Sequence, residues 1–435
     1  MELPAGRKDL CADGLVRLVR DEFRDVPDSR CEPQIRLVDA LLGGLAVFSL
    51  KCSSLLAFDQ ERRHNAFNLS AMFGMKDIPC DTQMRDILDD VDPVCLRPAF
   101  TSVFRALQRG KVLEPFVFWE GHYLLASDGT TYFSSEQVHC DACLQKRSRN
   151  GVVTYYHQLL GWAIVHPDHR EVIPLCPEPI VKQDGTKKND GERSATARAL
   201  EHFRREHPRL PVIMVEDALS GNAPHLADLQ RHNVRFILGV KPGSHAHLFE
   251  QMALAVQQQR VEMLTLQDKG TLHHFRWLKD AALNKSHADQ RVTMVEYWEI
   301  SLKEQQCHFS WITDLTVTHE NVELFARGGR ARWKIENETF NTLKNQGYHF
   351  EHNFGHGKKY LSTIFATLMM LAFLLDQVQQ LCDEVFQALL KKMGTKRRLW
   401  SRIRGVFECF RLSSFRQMHE LLLNFQHVDP TQNTS

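Results

Sequence analysis

The sequence predicts a mixed α/β fold: a core sheet interrupted by a β-rich insertion, with a helical region on either side. Three observations point there. Apolar residues recur at helical spacing up to about residue 115. Between residues 120 and 243, three extended segments give way to alternating helical and extended ones. From 244 to 318 the chain turns to strand-like alternation again, before helical patterning resumes at 319.

Within residues 1–115, Leu37, Leu41, Leu42, Leu45 and Phe48 share one helical face, as do Phe100, Val103, Phe104 and Leu107. Asp81, after Pro79, suits the N-cap of a helix from Thr82 to about Asp90. Tyr123–Phe133, Tyr155–Val165 and Glu171–Leu175 then form three expected strands. A helix from Glu192 to about Glu206 leads to the apolar run Val212–Val215, which ends at Glu216-Asp217. A helix over Ala223–His232 and a strand over Arg235–Val240 close this part of the core at Lys241-Pro242-Gly243. Three strands, then helix, strand, helix, strand, is the element order of an RNase H-like domain. A helix over His247–Gln258 and strands over His274–Leu278, Arg291–Leu302 and His308–Thr313 make up the insertion, 244–318. Residues 319–375 return to the core and 376–435 form a C-terminal helical region.

A chain of 435 residues holds several domains or one core with large insertions. With 43% hydrophobic and 25% charged residues, it has the make-up of a soluble globular protein and enough apolar material for a large core. The net charge of +1 provides no global field for nucleic acid, so a DNA partner would need local basic clusters. The eleven cysteines are scattered and the N-terminus lacks a basic-then-apolar leader, which favours a reducing cytoplasm. The longest apolar run, Leu361–Leu375, is interrupted by Ser362, Thr363 and Thr367 and falls short of the roughly 20 residues of a membrane span. It is expected to be a buried core helix, with no membrane partner.

Two aspartates stand at telling places. Asp128 lies in the first strand of the core, and Asp217 ends the fourth, beyond four apolar residues. A carboxylate carried to a sheet's edge suits a metal, although an aspartate there also serves as a turn or helix cap. A third acid, Glu336, sits in Arg332-Trp333-Lys334-Ile335-Glu336. On a regular helix it would share the packed side with Trp333, Phe340 and Leu343, with Glu338 facing water. A surface pair with Arg332 at i, i+4 remains the alternative.

The segments Ser127-Asp128-Gly129-Thr130, Val215-Glu216-Asp217-Ala218-Leu219 and Arg332-Trp333-Lys334-Ile335-Glu336, with Phe340 and Leu343-Lys344, resemble DDE transposases of bacterial insertion sequences. Asn222-Ala223-Pro224-His225 and Lys241-Pro242-Gly243 are similar too, and the likeness runs from about Leu41 to Leu375, in the group with a Tyr-Arg-Glu-Lys signature. The resemblance implies that Asp128, Asp217 and Glu336 bind two divalent cations, magnesium or manganese, and that Arg332 and Lys344 contact transposon-end phosphates. Arg330 and Lys241 are placed with those DNA contacts, as are His349 and His352 in the glycine-containing loop after the Glu336 helix. The family's tyrosine would fall at Gly329, and seven residues instead of six separate Glu336 from Lys344.

The chemistry so implied is cut-and-paste transposition: cleavage at the transposon ends, then attack of a 3′-hydroxyl on target DNA. Two cations about 3.5–4 Å apart can activate the nucleophile and stabilise the leaving oxygen, and hard cations take carboxylate oxygens. A homodimer on transposon-end and target DNA, acting in the bacterial cytoplasm at the nucleoid, follows from the same resemblance. The rival readings are an RNase H-like nuclease that does not join ends and an inactive, transposase-derived DNA-binding protein.

Cys140 and Cys143 form the one close cysteine pair, and with His139 and His157 they could hold zinc in the loop between the first two strands. Two free thiols are the alternative. His349, His352 and His356 could be metal ligands, but a glycine-containing loop after the Glu336 helix suits phosphate or base contacts better, and a polar loop over the core is the plain alternative. Lys391, Lys392, Lys396, Arg397, Arg398, Arg402 and Arg404 make the densest basic stretch, either a phosphate grip or a solvated helical face.

Overall fold

The segment expected as the first strand is an interior strand of a twelve-stranded sheet in the computed structural model, which describes residues 7, 9–182, 188–301 and 306–425. Six helices precede it: α1 (Ala12–Arg24), α2 (Leu37–Ser49), α3 (Leu55–His64), α4 (Ala66–Phe73), α5 (Asp81–Asp89) and α6 (Arg97–Arg109). Asp81 is the first residue of α5, with Cys80 at the N-cap. Gln83 Oε1 accepts from the Cys80 amide, so a side chain two positions beyond Asp81 does the reciprocal capping.

The sheet begins with β1 (Val117–Trp119), β2 (His122–Ser135), β3 (Leu144–Arg147) and β4 (Val153–Val165), followed by the short β5 (Ile173–Pro174) and β6 (Glu178–Ile180). Helix α7 (Lys188–Glu206) leads to β7 (Val212–Glu216), and α8 (Ala223–Arg231) leads to β8 (Arg235–Gly239). β2, β7 and β8 run parallel in that order, as strands joined through crossover helices do. β4 flanks β2 antiparallel, and β5 and β6 both pair with β4. The element order expected for the core is therefore present.

After α9 (Ala246–Gln257), β9 (Glu262–Asp268), β10 (Thr271–Ala282), β11 (Arg291–Ile300) and β12 (Gln306–Thr313) form an antiparallel meander. It does not stand apart. β12 pairs antiparallel with β8, so the insertion lengthens the core sheet, which runs β3-β4-β2-β7-β8-β12-β11-β10-β9. Lys146 and Arg147 are exposed on β3 at one edge, and β9 alternates half-buried and exposed residues at the other; charged and polar edges discourage pairing with another chain.

The chain then forms α10 (Val322–Arg330), a π-helical turn (Ile335–Phe340), α11 (Asn341–Asn345), α12 (Leu361–Cys382), α13 (Glu384–Met393), α14 (Lys396–Cys409) and α15 (Phe415–Asn424). α12 extends well beyond the apolar run that announced it. Its length and composition would suffice to cross a membrane, but 89% of its most apolar window is buried inside the fold.

One buried ion pair ties the two helical regions together. Lys51, just after α2, is 2% exposed and places Nζ 2.7 Å from Asp376 Oδ2 on α12. The ammonium also lies over the rings of Tyr348 and Trp400, at 4.4 and 4.3 Å, and the Tyr348 hydroxyl donates to the same carboxylate. Burial lowers the lysine pKa against the pull of Asp376. Removing one partner strands the other charge. Lys51→Met should cost about 3–5 kcal/mol, read as a lower denaturant midpoint, and Lys51→Met with Asp376→Leu should restore part of that loss. An unchanged midpoint in the single variant would show that the pair carries no such load.

Candidate active site

The parallel register of β2 and β7 sets the site. Ala126 pairs with Val215. Two residues further along lie Asp128, still on β2, and Asp217, the first residue past the end of β7, so the two acids come to neighbouring places. They line one cleft with Ser127, Gly129, Glu192 and Arg193. Each also organises its own turn: Asp128 Oδ1 accepts from the Gly129 amide at 2.9 Å, and Asp217 Oδ1 from the Leu219 amide at 2.9 Å. The turn role and the acid role are thus compatible in one residue.

Glu336 joins Asp128. Arg332 Nη1 links the two, lying 2.8 Å from Glu336 Oε1 and 3.4 Å from Asp128 Oδ2. The i, i+4 pair with Arg332 therefore exists, but it is half of a three-group bridge rather than a surface pair. Burial, reinforced by the neighbouring Glu336 carboxyl, pushes the Asp128 carboxyl up to about 7; Arg332 opposes this, and the charges of Glu336 and Asp217 add to it.

The expected orientation of the Glu336 helix is corrected. Trp333 is 54% exposed, and Glu336, with 46% of its side chain accessible, is more open than Glu338 at 28%. The cause is the π-helical turn, which packs Ile335, Thr339 and Phe340 inward and rotates Glu336 toward the cleft. An i→i+5 turn holds one residue more than an α-turn, so it also takes up the seventh residue between Glu336 and Lys344. Phe340 packs on Gly161, where an added Cβ would lie 2.7 Å from its ring, and Gly161 is the register partner of Asp128 on β4. At Gly329 a Cβ would meet the Trp311 indole at 2.5 Å, so close packing against β12 excludes a tyrosine there.

The remaining expected contacts are dispersed. Lys344 pairs with Glu351 at 2.9 Å, and Arg330 pairs with Glu299 while covering the Phe309 ring. Lys241 is exposed just beyond β8. His349 and His352 are exposed, His352 edge-on to Phe354. The basic stretch is partly structural: Lys392 donates to the carbonyls of Leu423 and Phe425, Arg397 to that of Asn345, and Arg404 to that of Lys51. Lys391, Arg398 and Arg402 stay exposed.

The expected zinc set changes by one member. Cys140, Cys143, His157 and His356 place their ligand atoms within 4.8 Å of one another, a group that could hold a metal ion. His139 is not among them; its Nδ1 lies 3.1 Å from the Gln137 carbonyl, and its ring stacks on Tyr155. Adjacent residues on an extended segment point apart, which is why His139 and Cys140 do not share the site. Burial and the nearby His356 lower the His157 pKa to about 4, and burial raises the Cys143 thiol to about 11.

Sequence reasoning also passed over Glu192 and the pair formed by Glu216 and His225, whose side chains meet at 2.5 Å. Burial works against charge on His225, yet the Glu216 carboxylate holds its pKa above the ordinary value. The signals were present as Glu192 near the start of a helix and as the Glu216-Asp217 doublet, but their meeting depends on the fold.

No family model matches the chain, and no curated protein matches it. Among solved structures, the cryo-EM structure of a piggyBac transposase synaptic complex with hairpin DNA is similar over 98% of this chain and 85% of that one, at 10% identity and a TM-score of 0.38. That likeness is too loose to assign a function, which rests on the site itself.

The raised Asp128 pKa has a pH signature. A carboxyl whose folded pKa exceeds its unfolded value holds its proton more tightly when folded, so its contribution is lost as pH rises from about 4 through about 7. In metal-free protein, Asp128→Asn should flatten this decline and be about 1–3 kcal/mol more stable than the parent at pH 8. Thermal unfolding across pH 5–8 checks it; parallel curves for the two proteins would refute the origin assigned to the decline.

Proposed function

We propose that the chain is an insertion-sequence DDE transposase with an RNase H-like core, which cleaves DNA at transposon ends and joins the freed 3′-hydroxyl to target DNA. One observation carries the reading: acids from three distant parts of the sequence come together, with Asp128 on β2 and Asp217 just past the end of the neighbouring parallel β7 lining one cleft, and Glu336 joined to Asp128 through Arg332. The donor set is oxygen alone, as hard divalent cations require. The burial and neighbouring acids that raise the Asp128 pKa disfavour its charged form, which a bound cation would stabilise.

Asp128, Asp217 and Glu336 would hold magnesium or manganese, which supplies an activated nucleophilic oxygen and stabilises the oxygen that leaves. Arg332 meanwhile stands where positive charge is wanted, bridging Asp128 and Glu336. With those carboxylates otherwise neutralised, Arg332 is free to turn its guanidinium to a DNA phosphate, a group its planar fork fits well. Lys344, brought back into phase by the π-helical turn, is a second phosphate contact. Lys241, Arg330, His349 and His352 extend the DNA path, and the N-terminal helices contribute end recognition and dimer contacts. The assembly would act in the bacterial cytoplasm as a homodimer that pairs two ends.

Asp128→Asn, Asp217→Asn and Glu336→Gln should each lower cleavage of end-containing DNA by at least about 10²–10³-fold while leaving end binding within a few fold. Cleavage and strand transfer on labelled ends with magnesium, beside a mobility-shift assay, measure both. Full cleavage by Asp128→Asn would remove it from the mechanism; cleaved ends that never insert would instead leave a nuclease.

A further inference from the structure

The cysteine–histidine cluster lies outside the carboxylate cleft, and its geometry is that of a metal centre. Cys140 Sγ and Cys143 Sγ are 3.9 Å apart, His157 Nε2 is 3.5 and 3.4 Å from them, and His356 Nε2 is 3.4 Å from Cys143 Sγ. Ligands at zinc's usual bond lengths, placed at the corners of a tetrahedron, stand about 3.3–3.8 Å apart. Four atoms with these separations already mark out the corners. Two thiols and two imidazoles form a borderline-soft set, which selects zinc over magnesium or calcium.

The surroundings also favour a bound metal over two idle thiols. Cys143, His157 and His356 are buried, and the rings of Phe133 and Tyr132 wall the cluster, Phe133 at 4.3 Å from His356 and Tyr132 at 6.0 Å from His157. Burying two imidazoles and a thiol together, with mainly one another as polar partners, is unfavourable without something to bind. The cluster also joins three parts of the chain. Cys140 and Cys143 lie between β2 and β3, His157 on β4, and His356 in the segment leading into α12. Just beyond His356, Asp89 at the end of α5 accepts hydrogen bonds from the amides of residues 358–361.

We propose that Cys140, Cys143, His157 and His356 form a closed, four-coordinate zinc site that clasps the segment following the Glu336 helix to the β2–β4 hairpin. All four positions are filled by side chains, so the site is structural and leaves no place for substrate. Both cysteines bind as thiolates, and two protons leave to solvent as zinc enters. The clasp belongs to the fold and stands independently of the transposase reading.

Elemental analysis of the full chain, purified without chelator from zinc-supplemented cells, should find about one zinc per chain. Cys143→Ser and His356→Ala should each lower it to less than about one-tenth, while His139→Ala keeps it. Cobalt(II) added to zinc-stripped protein should give the intense visible bands of tetrahedral cobalt and a thiolate charge-transfer band, the latter about halved in Cys140→Ser. The cobalt spectrum of the parent chain decides the matter even if the variants fold poorly. A folded parent without stoichiometric zinc and without tetrahedral cobalt bands overturns the proposal, as does His356→Ala with full zinc. A zinc-loaded chain that never cleaves DNA would sink the proposed function and leave the clasp intact.

Discussion

The pairing of Ala126 with Val215 constrains everything at the cleft, because it brings Asp128, midway along β2, beside Asp217, just past the end of the parallel β7. A slip of one residue would turn each side chain to the other face of the sheet, so the acids can separate only if the core itself is rebuilt. Like charges crowded this way are unfavourable, and Arg332 offsets part of that cost. Arg332 reaches both Asp128 and Glu336, and the Asp128 carboxyl keeps its proton to a higher pH than a solvated aspartate would. The arrangement is held by packing on all sides and opposed by its own electrostatics, as expected where function has been set against stability.

Delivery of the third acid depends on how closely a helix can approach a strand. Gly161, opposite Asp128 on β4, leaves room for the Phe340 ring, so one rung of the ladder carries the first aspartate and also seats the helix that brings the glutamate. Gly329 has the corresponding role earlier in the chain, admitting the Trp311 indole of β12 against α10. Because β12 continues the core sheet, the insertion braces the glutamate segment instead of hanging beside it.

The core elements were legible in the sequence because their signals are local: strand alternation, apolar runs and flanking turns. Strand and helix assignments from 122 to 257 agree with the structure to within a few residues, with β3 and the fragment β6 the exceptions. β3 is an edge strand whose Gln145, Lys146 and Arg147 are all exposed, so it carries no apolar pattern to read. The acids were legible as positions, while their convergence is a property of register. The facing of Glu336 was not legible, since a π-helical turn has no simple periodicity and the regular-helix projection put Trp333 inside. His356 escaped for another reason. It meets Cys143 across 213 residues, and ligand spacing along a sequence speaks only for partners in the same loop.

The segment after the Glu336 helix is anchored more firmly than a loop over an active site commonly is. The Tyr348 hydroxyl bonds to Asp376, itself paired with buried Lys51; the amides of residues 358–361 converge on Asp89; and His356 sits in the cysteine–histidine cluster between those anchors. Four amides hold the Asp89 carboxyl below its usual range despite its partial burial. A segment fixed at three points is ill suited to open as a lid. Adjustment on binding a polyanion is easier in the exposed ion pairs, where a phosphate can replace a carboxylate at little cost. Lys344 with Glu351 and Arg330 with Glu299 are such pairs, and both flank the cleft-facing glutamate on its own stretch of chain. The scaffold thus keeps the acids in place while the cations around them remain exchangeable, which is the division of labour that the proposed cleavage of DNA would demand.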